Sequence, residues 1–199
     1  MIKKETSLDK TRKYYQSVDM SYNEDEYNPM NLFKDIVVNK LLPLIKTNSS
    51  NTIVNLGPLK GKWIPEIIDV LSPKKLICVD MITTFFKHLK KTYSSKNTEI
   101  VCVLTEGNEL SNLDDNSIDG IISIDALTVG LPSEDIIKYI YEFKRVLKPG
   151  KKALVHFQCK INDGPLTQHY ENLKIFRIHG HRFAPARSEF ILFEKLESE

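Results

Sequence analysis

Five short apolar runs, separated by helix-like or polar segments, constrain the fold of this chain more than any other feature. The runs predict strands at residues 52–56, 76–80, 99–104, 118–124 and 153–157. Apolar residues at three- and four-residue steps predict helices at 63–71, 83–93 and 133–147. Strands that are apolar throughout are buried on both faces, and helical crossovers join strands that run parallel. The pattern therefore predicts an α/β fold with a doubly wound, mostly parallel sheet.

The two ends of the chain follow other patterns. Residues 1–28 are charged and weakly periodic, which predicts an irregular N-terminal arm with at most one short helix. Residues 29–199 are predicted to form one domain, which begins with an amphipathic helix that reaches Leu44. After a short polar link, residues 173–183 and 189–196 have strand character on either side of a loop. A C-terminal antiparallel strand pair is therefore expected.

Composition argues against several functional classes. The net charge of +2 arises from 28 basic and 26 acidic residues, and no basic stripe or base-stacking set indicates nucleic acid binding. No apolar run has the length of a membrane span, and the polar first residues do not resemble a signal peptide. The three cysteines, Cys78, Cys102 and Cys159, are widely spaced, which predicts reduced thiols in a cytoplasmic protein rather than a disulfide framework.

Polar residues follow the predicted strands at the edge where a parallel sheet binds ligands. The first strand leads into the glycine loop "NLGPLKG", residues 55–61. Asp80 ends the second strand, and Glu106 follows the third. A carboxylate at the position of Asp80 can accept hydrogen bonds from both hydroxyls of a ribose. A second carboxylate at the position of Glu106 can accept from the exocyclic amine of an adenine. The set predicts a site for an adenosine-containing ligand.

The glycine loop is one of several motifs that together resemble a known family. With "LICVD", "LTEGNELSNLDDNSIDGIIS" and "EFKRVLKPGKKALVHF", it resembles the class I S-adenosylmethionine-dependent methyltransferases of the small, single-domain type. The resemblance covers roughly residues 30–196. It implies a Rossmann-like methyltransferase fold and S-adenosyl-L-methionine as the cofactor. Carried over residue by residue, it implies a cofactor site formed by Asn55, Gly57, Leu59, Gly61, Asp80, Met81, Glu106, Gly107 and Ser123.

The resemblance also implies methyl transfer to an oxygen or nitrogen of a small-molecule acceptor. The arm of residues 1–28 would then be a possible lid over the acceptor. Asp125 and His156, which follow the fourth strand and end the fifth, are the candidate proton acceptors. Each also has a structural interpretation: Asp125 as the cap of a turn, and His156 as a core histidine satisfied by one hydrogen bond. The acceptor, the atom methylated and the oligomeric state are left open.

The chain departs from the family pattern at three places. Asn55 stands where the family has an acid that helps to hold the cofactor's ammonium group, and Leu59 stands where it has its second glycine. The link at 158–173 is shorter than the helix found in most relatives. Glycine at the second position lets backbone approach the ligand without steric cost. These departures keep open a non-catalytic methyltransferase-fold protein that serves in binding or as a scaffold, with a degenerate glycine loop.

Two other functions fit the residues less well. A nicotinamide-dependent oxidoreductase would need glycines at positions 59 and 62, which are Leu59 and Lys62. His179 and His181 alternate in a predicted strand, but without an acid or cysteine at ligand spacing they indicate a metal site only weakly. No metal is therefore expected.

Overall fold

The computed structural model describes residues 6–17, 30–45, 51–124, 126–127, 133–157, 173–179 and 189–197. Its helices are α1 (Ser7–Ser17), α2 (Met30–Ile36), α3 (Ile64–Leu71), α4 (Phe86–Tyr93) and α5 (Ser133–Val146). A π-helical turn at Val37–Leu41 and a 3₁₀ turn at Leu42–Leu44 continue α2. The strands are β1 (Thr52–Leu56), β2 (Lys75–Asp80), β3 (Glu99–Leu104), β4 (Ile118–Ser123), β5 (Leu147–Phe157), β6 (Leu173–His179) and β7 (Glu189–Lys195).

The described strands form one seven-stranded sheet in the order β3-β2-β1-β4-β5-β7-β6. Strands β1 to β5 are parallel, and β7 lies antiparallel between β5 and β6. The predicted α/β class and the C-terminal antiparallel pair are both confirmed. Strand order reverses between β1 and β4, so the crevice at their carboxyl ends is the expected ligand site of such a sheet.

Alternate residues of each central strand pack into two separate cores, as the two-residue period of a strand requires. On one face, Val54 and Ile121 pack with the apolar side of α5. On the other face, Ile53 and Ile122 pack with α3, α4 and the turns that follow α2. With both faces covered, the strands can be apolar throughout, which explains why they stand out in the sequence.

The segment after α2 differs from the single regular helix that the periodicity predicted. Regular α-helix ends at Ile36, and the chain then widens into the π turn and tightens into the 3₁₀ turn. Pro43 is the physical reason, because its ring lacks an N–H and clashes with the carbonyl four residues earlier in a regular helix. The 3₁₀ turn closes with a hydrogen bond from Ile45 N–H to the Leu42 carbonyl, 2.9 Å long.

Strand β5 begins earlier than predicted, because the "LKPGK" segment belongs to the sheet. Leu147 pairs with Ile118, but the next pair joins Lys152 to Gly120, so β5 carries extra residues in a bulge. Lys148 Nζ donates to both carboxylate oxygens of Asp119 at 2.8 and 2.9 Å. A bulge of this kind bends the strand locally while pairing continues beyond it.

Helix α1 lies within the arm that was predicted to be mostly irregular. It begins with a reciprocal cap: Thr6 N–H donates to Asp9 Oδ2 at 3.0 Å, and Asp9 N–H donates to Thr6 Oγ1 at 3.1 Å. This arrangement satisfies two backbone donors at a helix start that would otherwise lack partners. The short helix allowed for in the arm is confirmed.

Candidate functional site

The loop after β1 has a glycine-type backbone at three alternating positions. Gly57 has φ +68°, Leu59 has φ +45° and Gly61 has φ +91°. The middle position therefore keeps the left-handed conformation although leucine occupies it. Such a conformation is rare for a residue with a branched side chain, because the Cβ crowds the following carbonyl.

The first and third glycines are required by close packing within the protein. A Cβ at Gly57 would overlap the Cβ of Ala126, which follows β4. A Cβ at Gly61 would lie 2.7 Å from Tyr93 Cε2 and 2.8 Å from Leu89 Cδ2, both on α4. The loop is thus held against its two neighbours, which fixes the position of the backbone at the sheet edge.

Three N–H groups of this loop already have acceptors within the protein. Gly57 N–H donates to the Val79 carbonyl at 2.8 Å, and Gly61 N–H donates to the Pro58 carbonyl at 2.7 Å. Leu59 N–H donates to Asp80 Oδ2 at 3.3 Å. The loop therefore binds the carboxylate of β2 through the same residue that carries the unusual side chain.

Asp80 ends β2 with its side chain beside this loop, and only 6% of the residue is exposed. Ile82 N–H donates to its other oxygen, Oδ1, at 3.3 Å. Burial raises the pKa of Asp80 to about 6, against backbone hydrogen bonds from Leu59, Ile82 and Met81 that lower it. The carboxylate is held at the predicted place and remains ionised at neutral pH.

The loop after β3 carries Glu106 and Gly107 and is tied to α5. Asn108 Nδ2 donates to Asp135 Oδ1 at 2.9 Å, and Leu110 N–H donates to Glu142 Oε2 at 2.8 Å. Gly107 N–H donates to Thr105 Oγ1 at 3.2 Å. These bonds fix the loop beside β2, where the predicted adenine acid would be needed.

Helix α1 contacts the same loop from outside. Arg12 Nη2 donates to Glu106 Oε2 at 2.9 Å and to the Glu106 carbonyl at 2.8 Å. A Cβ on Gly107 would lie 2.8 Å from Leu8 Cδ1 and 3.4 Å from Met81 Cε, so these side chains cover the glycine. Sequence reasoning missed both α1 residues. The "TSLD" cap predicts where a helix starts but not what it packs against.

Two buried polar atoms at the strand ends have no hydrogen-bond partner among the described residues. They are Asn55 Nδ2 on β1 and Ser123 Oγ on β4. Asn55 pairs with Ile122 across the two strands, so Ser123 faces the opposite side of the sheet. Buried polar groups are nearly always hydrogen-bonded in native proteins, so each atom is available to a water or a ligand group on its own side of the sheet.

The two candidate proton acceptors have different outcomes. Asp125 lies outside the described residues. His156 is buried at the end of β5 between two rings: its centroid is 4.5 Å from that of Phe190 and 5.2 Å from that of Phe33. This packing matches the core-histidine interpretation more closely than an open catalytic position.

The described ranges contain neither a metal-ligand cluster nor a membrane-spanning helix. There, no group of three or more His, Cys, Asp or Glu side chains is arranged to hold a metal ion. The weak His-x-His hypothesis falls partly outside these ranges, since His181 is not described. None of the described helices combines the length and apolar character needed to cross a bilayer.

Comparison with known proteins agrees with this geometry. A family model described as "Methyltransferase domain" matches residues 53–150. The N-methyltransferase NodS of Bradyrhizobium japonicum, solved with S-adenosyl-L-homocysteine, is 14% identical with a TM-score of 0.70, over 96% of this chain and 100% of that one. A SAM-dependent methyltransferase of Aquifex aeolicus is 15% identical with a TM-score of 0.59, over 86% and 100% of the two chains.

A curated relative gives a further match in sequence. Malonyl-[acyl-carrier protein] O-methyltransferase of Marinomonas sp. (strain MWYL1) is 29% identical over 119 residues, which are 59% of this chain and 42% of that protein. The match thus spans less than half of the relative's length. The sheet order and these matches define a Rossmann-like methyltransferase fold. Residues 53–150 match the methyltransferase-domain family, and the solved neighbours share the fold of this chain, in agreement with the resemblance that its motifs carry. These neighbours are named as methyltransferases, one SAM-dependent and one bound to S-adenosyl-L-homocysteine, which supports S-adenosyl-L-methionine as the cofactor.

Proposed function

We propose that this protein transfers a methyl group from S-adenosyl-L-methionine to an oxygen or nitrogen of a small-molecule acceptor. The observation that carries the proposal is the carboxylate of Asp80, buried at the end of β2 against a loop whose backbone keeps the glycine-type conformation. An isolated charge is costly to bury, and two backbone N–H groups at 3.3 Å compensate it only in part. The ribose hydroxyls of a nucleoside would supply the remaining donors.

The residues at the strand ends fit the rest of this cofactor. Asn55 has a buried Nδ2 with no described partner, and this amide can donate to the carboxylate or accept from the ammonium of the methionine portion. Met81 and Gly107 offer an apolar surface and backbone for the adenine, and Glu106 offers an acceptor for its amine. Where the family has an acid, Asn55 therefore supplies a neutral amide that can contact either the carboxylate or the ammonium group of the methionine portion.

The chemistry needs little from the protein beyond alignment. When bound, S-adenosyl-L-methionine supplies an electrophilic methyl group on a sulfonium. The chain's own residues hold the cofactor and exclude water, and orientation of this kind contributes most of the acceleration in group transfer. Of the two predicted proton acceptors, Asp125 and His156, the proposal retains Asp125, because the rings of Phe33 and Phe190 that flank His156 restrict its access to an acceptor.

A small-molecule acceptor is proposed because the charge distribution offers no basic stripe for nucleic acid. A cytoplasmic location belongs to the same proposal, on the basis of the cysteine pattern. The named relatives differ in type, since one is an N-methyltransferase and the other is a malonyl-[acyl-carrier protein] O-methyltransferase. The proposed acceptor class therefore rests on the charge pattern of this chain.

Calorimetric titration with S-adenosyl-L-homocysteine tests the proposal. The wild-type protein is expected to bind, and Asp80→Asn is expected to bind at least tenfold more weakly, because a charge-assisted hydrogen bond contributes about 1.5–3 kcal/mol. Asp69→Asn on the exposed side of α3 is the matched control and should bind like wild type. A wild-type protein that releases no heat at high concentration would refute cofactor binding.

A non-catalytic role in binding or as a scaffold is the second candidate. The observation that favours it is the satisfied loop: the N–H groups of Gly57, Leu59 and Gly61 all have acceptors within the protein. Transfer of a radiolabelled methyl group to a panel of small hydroxyl and amine compounds distinguishes the two. If the label is lost from the cofactor only by slow hydrolysis and is transferred to none of the compounds, the result would favour the second candidate.

A further inference from the structure

Helix α1 contacts the sheet edge at the place where the proposed function requires the adenine. Its two contacts involve different chemistry, one ionic through Arg12 and one apolar through Leu8. Both fall on residues of the implied cofactor site, Glu106 and Gly107. Arg12 and Glu106 lie 94 residues apart in the chain, so their contact is formed by the tertiary fold and not by local sequence.

We propose that α1 forms the outer wall of the adenine subsite, with Leu8 as an apolar cover and Arg12 as a positioning residue for Glu106. The inference rests on the proposed function, since it assumes a nucleoside at these strand ends. It assigns a role in cofactor binding to two residues outside the family's motifs. It also assigns the first part of the arm to the cofactor rather than to the acceptor.

The ionic contact restricts the orientation of Glu106. One nitrogen, Arg12 Nη2, reaches both the side-chain oxygen Oε2 and the main-chain carbonyl of Glu106. A donor shared between these two oxygens holds the carboxylate over its own backbone and leaves Oε1 to accept from an adenine amine. The Glu106 side chain is 72% exposed, so without Arg12 it would sample many rotamers in water.

The apolar contact depends on the absence of a side chain at Gly107. This residue has φ +100°, and Leu8 Cδ1 lies only 2.8 Å from where a Cβ would be. Met81 Cε lies 3.4 Å from the same point. Leu8, Met81 and the Gly107 backbone thus form an apolar corner beside the carboxylate of Glu106. Such a combination of flat apolar surface and one directed acceptor suits an aminopurine ring.

A third observation concerns the Arg12 guanidinium itself. Its Nε is buried and has no acceptor among the residues that the structure describes. The guanidinium carries five N–H donors in a fixed plane, so it has capacity beyond Glu106. A ligand at this edge of the sheet would supply an acceptor to a donor that is already shielded from water.

Binding and amide exchange together test this inference on the full chain. Arg12→Ala is expected to raise the dissociation constant for S-adenosyl-L-homocysteine about three- to fivefold, the range of a partly exposed ion pair. Lys10→Ala removes a charge from an exposed position of the same helix and should stay within twofold of wild type. Because coupling is reciprocal, the ligand should slow hydrogen exchange of residues 7–17 in the wild-type protein.

A double-mutant cycle separates positioning from direct contact. If Arg12 acts through Glu106, the Arg12→Ala/Glu106→Gln protein should bind no more weakly than Glu106→Gln alone. Fully additive losses would overturn the positioning role. Two results would contradict the assignment of α1 as the outer wall of the adenine subsite. The first is an Arg12→Ala protein that binds the ligand as tightly as wild type or more tightly. The second is hydrogen exchange in α1 that does not change when the ligand binds. A wild-type protein that does not bind the ligand would instead refute the proposed function itself.

Discussion

Leu59 shows how one residue can keep a conformation that its side chain disfavours. Its φ of +45° is held from two sides, by the hydrogen bond to Asp80 and by packing of the side chain against the core beneath α3 and α4. The left-handed conformation costs about 1 kcal/mol for a residue with a Cβ. The burial of an apolar side chain offsets this cost, so the loop keeps its shape without the usual glycine.

Two substitutions at this position separate the backbone strain from the packing. Leu59→Ala and Leu59→Gly both remove the packed side chain, but only alanine retains the strain of a Cβ at positive φ. We expect Leu59→Gly to be the more stable of the two by about 1 kcal/mol, the reverse of their order at an ordinary site. Urea unfolding measures the difference, and a more stable Leu59→Ala protein would contradict the left-handed assignment.

Asp80 makes a pH dependence of binding predictable. Burial raises its pKa to about 6 from 3.8, so between these values the folded protein holds a proton that the unfolded chain has lost. The contribution of Asp80 to stability therefore decreases as the pH rises through this window. The ionised form is the one that accepts two ribose hydrogen bonds. Affinity for S-adenosyl-L-homocysteine should accordingly fall below pH 6, by up to about tenfold per unit.

Titrations from pH 5 to pH 8 check this expectation. Asp80→Asn serves as the comparison, because a side chain that does not ionise should give weak binding with no slope in this range. A wild-type affinity that stays constant from pH 8 to pH 5 would show that the charge of Asp80 does not contribute to binding.

At the scale of elements, the contact between β4 and the turns after α2 leaves no room for a larger residue. A Cβ on Gly120 would lie 2.6 Å from Ile45 Cγ2 and 2.9 Å from Ile53 Cδ1. Gly120→Ala should therefore destabilise the protein by about 1–3 kcal/mol through overpacking. Ile53→Val removes the Cδ1 atom, so the double variant should lose less than the sum of the single losses. Denaturant unfolding measures both, and strict additivity would exclude this contact.

The elements also show which parts of the structure a single sequence can predict. The central strands were predictable because they are buried on both faces, and the site residues of β1 to β4 follow from their ends. Two local features could not be predicted, namely the change of helix type at Pro43 and the bulge after Leu147. Hydrophobic periodicity does not show how hydrogen bonds shift around a proline or an extra residue. The pairing of Arg12 with Glu106 was not predictable either, since it joins distant segments of the chain.

For the whole molecule, ligand binding should appear as increased thermal stability. A ligand at one hundred times its dissociation constant stabilises the folded state by about 2.7 kcal/mol, which corresponds to roughly 5–10 °C for a chain of this size. We expect S-adenosyl-L-homocysteine to produce such a shift and NADH to produce none, because the loop lacks the glycines of a dinucleotide site. An equal shift with NADH would favour the oxidoreductase alternative.

The position of β7 has a consequence for how the chain reaches its final form. Because β7 lies between β5 and β6, the edge of β5 stays open until residues 189–195 arrive, and β6 has no partner before then. During synthesis the five parallel strands are thus complete well before the sheet is closed on that side. A ribosome stalled ahead of Glu189 would hold a nascent chain in which β5 has one open edge and β6 has no partner, and exposed strand edges of this kind favour chaperone binding or aggregation.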